Sequence, residues 1–63
     1  MTFDEAVELV QKWPDDPSVP RKLAKGIANA SEEEAQYIRQ LVEVLTTAAA
    51  SAEHYKLISK YFD

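Results

Sequence analysis

The apolar residues of this chain return every three or four positions. Placed at about 100° per residue, Phe3, Ala6, Val7, Leu9, Val10 and Trp13 share one arc of about 160°. Asp4, Glu5, Glu8, Gln11 and Lys12 fill the other side. Thr2 and Glu5 have the spacing of a capping box, in which the hydroxyl accepts from the helix amides and the carboxylate reaches back. The pattern predicts a first helix over 3–12. Pro14 disfavours helical geometry at Trp13 and closes that helix. Trp13-Pro14-Asp15-Asp16-Pro17 then reads as a loop.

A second stripe, Val19, Leu23, Ala24, Ile27, Ala28 and Ala30, predicts a helix over 18–29. Ser18 is placed to cap it, and Pro20 is tolerated in its first turn. Gly26 lies at the edge of the apolar face and implies close approach of a neighbouring helix. Ser31-Glu32-Glu33-Glu34 is the strongest start signal in the chain. Ser31 caps, Glu34 completes a second box, and three carboxylates sit at the positive end of the helix dipole. The helix that follows carries Ala35, Ile38, Leu41, Val42, Leu45 and Ala49. Tyr37, Val44 and Ala48 widen its apolar arc to about 180°, enough for two neighbours or for one neighbour and a partner.

No Gly or Pro follows Ser31, so one continuous helix to the end is sterically open. It would be about 48 Å long. A domain of this size has a radius of gyration of only about 10–11 Å. The stripe also moves: His54, Tyr55, Leu57, Ile58, Tyr61 and Phe62 cluster about 150° away from the preceding arc. A break is therefore expected between Thr46 and Ser51, with Ser51 capping the last helix. The expectation is an all-α fold, a small bundle of three to four short amphipathic helices at about 3–12, 18–29, 32–47 and 52–62, forming a single helical domain over 1–63.

Composition narrows the chemistry. A chain of 63 residues without cysteine has no disulfide and no thiolate ligand or nucleophile. One glycine leaves no phosphate-cradling loop. His54 is the only histidine and has no second ligand at metal-binding spacing. A chain this short is also expected to lack room for a pocket of several hundred Å³. No metal, cofactor or enzymatic activity is expected.

The net charge of −4 disfavours a direct nucleic-acid binder. The acids lie mostly at two places: Asp4, Glu5 and Glu8 on the first helix, and Glu32, Glu33 and Glu34 at the start of the third. Arg21, Lys22 and Lys25 form a basic patch between them, in a segment that faintly resembles the outline of a helix-turn-helix. Its second helix would meet DNA with Glu32, Glu33 and Glu34 first, which is the wrong charge. Pairing of the patch with the acids of the first helix, or plain solvation, explains it more simply.

What remains is apolar. Tyr37, Leu41 and Val44 form a second stripe, and Tyr55 and Tyr61 add aromatics near the end. A core this small does not readily enclose six aromatic side chains. These five residues are the candidate partner-binding set. The expected function is that of an acidic protein–protein interaction module, acting as a binding subunit, an adaptor or a stoichiometric inhibitor of another protein, of the kind found in phages and mobile elements. A homodimer through Tyr37, Leu41 and Val44 is an open alternative. So is an acidic DNA mimic that blocks a basic site on a partner, with helix-turn-helix-like DNA binding behind it. The opening Met-Thr-Phe-Asp-Glu offers no basic or apolar leader, and the uncharged run from Val44 to Ala52 is too short for a bilayer. A cytoplasmic location without membrane contact is expected.

Overall fold

The computed structural model describes residues 1–62, and among these every regular element is helical. The order is α1 (Phe3–Val10), α2 (Val19–Asn29), α3 (Glu32–Arg39), α4 (Leu41–Ala48) and α5 (Ala52–Phe62). The all-α bundle is thus as the periodicity predicts, and α5 starts where the stripe shift places it. Thr2 makes the full capping box, accepting from the Glu5 amide at 3.3 Å while Glu5 accepts from the Thr2 amide at 3.0 Å. Ser31 accepts from the Glu34 amide at 3.2 Å, and Ser51 accepts from the His54 amide at 3.4 Å.

Several details differ, each for a local reason. α1 is two residues shorter than predicted, because Lys12 and Trp13 donate to Leu9 and Val10, a tighter turn than the α-helical one. The Trp13–Pro14 peptide bond is cis. Ser18 does not cap α2: its hydroxyl and its amide both donate to the Asp16 carboxylate, at 2.6 and 2.9 Å. The second box is half made, since Oε2 of Glu34 is shielded from solvent and accepts no hydrogen bond. The predicted helix over 32–47 is divided at Gln40, whose amide donates to Tyr37 three residues back. No glycine or proline marks that kink, so packing imposes it. The residue that comes close to Gly26 is Met1, ahead of α1, rather than a helix. A Cβ on Gly26 would lie 2.8 Å from Met1 Cε.

One cluster, drawn from all five helices and the first loop, makes the core: Ala6, Val10, Trp13, Val19, Leu23, Ile38, Leu45 and Ile58. Its hub is the indole of Trp13, buried to 6% exposure. Ala49 donates to Thr46 rather than to Leu45, so the Leu45 carbonyl is left over at the end of α4. The Trp13 indole N–H donates to that carbonyl at 2.9 Å. His54 of α5 meets the indole edge-on, with centroids 5.0 Å apart. The loop after α1, the end of α4 and the start of α5 are therefore joined at one side chain.

The radius of gyration, 10.6 Å, matches the value of about 10.6 Å for a compact chain of this length. No helix among the described residues is long and apolar enough to cross a membrane.

Trp13→Phe keeps most of the ring volume and removes the donor to Leu45. It is expected to cost about 1 kcal/mol. Trp13→Ala should cost about 3–5 kcal/mol, a large share of the roughly 3–9 kcal/mol available to a chain of this size. Urea denaturation followed by circular dichroism checks both. Equal losses in the two variants would show that the hydrogen bond, and not the ring, holds the junction.

Candidate functional site

The structure separates the five candidate partner-binding residues. Tyr37 and Val44 lie outside the core, at 53% and 46% exposure. Leu41, between them in sequence, is half-buried and packs against the core, so the stripe is broken at its centre. Tyr55 on α5 is 50% exposed. Tyr61 is half-buried and lines a groove elsewhere. The core is complete without Tyr37, Val44 and Tyr55.

That groove has a volume of ≈ 500 Å³ and is lined by Ala24 and Ile27 of α2, Arg39 of α3, Val42 of α4, and Tyr61 and Phe62 of α5. A second groove of ≈ 370 Å³ runs between α1 and α2 and is lined by Met1, Glu5, Glu8, Leu9, Lys12 and Lys22. The expectation that so short a chain lacks room for such volumes is thus corrected. Five short helices meeting at angles leave clefts between their ends, whereas long parallel helices would close them. Both grooves are open to solvent. Neither contains His54.

In sequence, Arg39 and Val42 sit on the flank of the α3–α4 unit away from Tyr37, which lies on the other side of Ile38. The groove was not read from the sequence, although its signals were present. Arg39 is the one cation between Lys25 and Lys56, and Tyr61-Phe62 ends the last apolar stripe.

The charged groups also divide. Among the acids, Asp4, Glu8, Glu32 and Glu33 are exposed, whereas Glu5 is held in the Thr2 box and Glu34 is half-buried. Accepting the Thr2 amide and hydroxyl holds the Glu5 carboxyl below its ordinary range. In the basic patch, Lys22 leans toward Asp16 at 3.9 Å and lines the α1–α2 groove. Arg21 and Lys25 are exposed and make no ion pair among the described residues. The hydroxyl and then the amide of Ser18, with Lys22 and Lys12 nearby, hold the Asp16 carboxyl below its ordinary range.

His54 is structural in its geometry. Its Nδ1 accepts the Ala50 amide at 2.9 Å, which turns the chain between α4 and α5. An acceptor at Nδ1 places the proton of the neutral ring on Nε2. No group of three or more side chains suited to hold a metal ion occurs among the described residues.

The chain matches no protein-family model, no curated protein and no solved structure.

Because the folded Asp16 carboxyl titrates below its unfolded range, its stabilisation is present above about pH 4 and lost as pH falls through the lowered folded value. Asp16→Asn keeps an acceptor for Ser18 and removes the charge. It should be less stable than the parent at neutral pH, and the gap should close on acidification below about pH 4. Urea midpoints across that range test it. Nitrogen chemical shifts of the neutral His54 ring should report the Nε2–H form. The Nδ1–H form would mean that the Ala50 contact is not made in solution.

Proposed function

We propose that this chain is a protein–protein interaction module that docks another protein on side chains its own core leaves uncovered. The supporting observation is that Tyr37, Val44 and Tyr55 stay about half exposed while the core closes without them. Tyrosine suits such a role, since a rigid ring and a polar tip serve both the free and the bound state. The acids support mimicry of nucleic acid less well, because Glu5 is held by the Thr2 amide and Glu34 is half-buried. An adaptor or stoichiometric inhibitor working in the cytoplasm fits a chain of this size.

Two measurements test this reading. Sedimentation equilibrium at micromolar concentration should give a 7.1 kDa monomer. A stable dimer would turn the Tyr37–Val44 flank into a self-interface. Capture from host extract should then be lost on combined Tyr37→Ala and Val44→Ser, and should survive raised salt and charge reversal at Glu32 and Glu33. Loss on charge reversal alone would support the acidic mimic in its place.

A further inference from the structure

The groove between α2, the α3–α4 unit and α5 is unlike the rest of the surface. The chain carries net charge −4, yet among the described residues the one charged side chain lining this groove is Arg39. Arg39 is exposed and makes no ion pair among the described residues. Lys60 adds a second cation, with its ammonium 5.5 Å from the Tyr61 ring centre. Beside these two cations lie Ala24, Ile27, Val42, Tyr61 and Phe62.

We infer that this groove takes an acidic amphipathic segment of a partner protein, with an apolar side chain seated between Ile27, Val42 and Phe62 and a carboxylate on Arg39. The inference rests on the reading of the chain as a protein-binding module and adds a second face to it, with the chemistry of the occupant. Charge complementarity selects the sign: an acidic segment meets Arg39 and Lys60, and a basic one would meet repulsion. The guanidinium fork suits a carboxylate, which it grips with two parallel hydrogen bonds. Openness selects the kind of ligand. A cleft of ≈ 500 Å³ would suffice in volume for a small molecule, but such ligands bury about 70–90% of their surface and need walls on most sides. A side chain presented from a partner helix brings its own cover. Arg, Tyr and Phe are also the residue types enriched at such contacts.

A pair of short synthetic amphipathic peptides tests it. Both carry the same Leu and Phe anchors, flanked by Glu in one and by Lys in the other. Each is titrated into the nitrogen-labelled full chain while amide shifts are followed. The acidic peptide should perturb Ala24, Ile27, Arg39 and Val42 and bind about tenfold more tightly than the basic one, with affinity falling as salt rises. Arg39→Gln should weaken the acidic peptide about tenfold with helicity unchanged, and Lys60→Gln less. Equal binding of both peptides, an Arg39→Gln protein that binds as the parent does, or no perturbation by either peptide overturns the inference. Perturbation centred on Tyr37 and Val44 overturns it too, and leaves the interaction-module reading standing.

Discussion

The buried Trp13 indole, which also donates to the Leu45 carbonyl, is the constraint on which the other contacts depend. A helix end leaves carbonyls without partners, and a buried one must be satisfied or the burial is costly. Leu45 is fully buried, and its carbonyl lies where α4 stops. Trp13 satisfies it from 32 residues away in sequence. The same ring supplies the largest apolar side chain in the core and the surface against which His54 stands. Through His54 and Ala50 the contact reaches the turn into α5. One side chain thus ties the loop after α1 to the end of α4 and the start of α5.

The smallness of that core shapes the surface. Trp13 is the one aromatic residue fully inside. Short helices cover only one side of a wide apolar stripe, so Tyr37 and Val44 stay wet on one flank of α3 and α4. On the other flank, Tyr61 and Phe62 wall a groove that α2 does not fill. These two faces differ in chemistry. The first is aromatic and uncharged at its exposed residues, and the second is apolar with cations at its rim. In an acidic chain, a groove whose charged neighbours Arg39 and Lys60 are both cations favours acidic partners locally.

Polar residues serve the fold before they serve anything else. Thr2 with Glu5, Asp16 with Ser18, and the Ser31 and Ser51 hydroxyls each satisfy amides that helix starts would leave open. This also gives His54 its place as a turn-former that uses its lone pair on a backbone amide.

The sequence by itself determined the helices, the caps at Thr2, Ser31 and Ser51, and the break before α5. These features are local: each depends on residues three or four positions apart, or on a stripe that changes direction. Tertiary structure decided the rest. The kink at Gln40 has no local breaker and falls between Ile38 and Leu45, both fully buried in the core. Ser18 is a natural cap by type, but Asp16 lies close enough to take its hydroxyl and its amide. Whether Leu41 was core and Tyr37 surface could not be read from the wheel, since both lay on one wide arc. Which part of that arc is covered depends on how far the neighbouring helices extend. The groove at Arg39 is set in the same way, by α2, the α3–α4 unit and α5, which meet only in the folded chain.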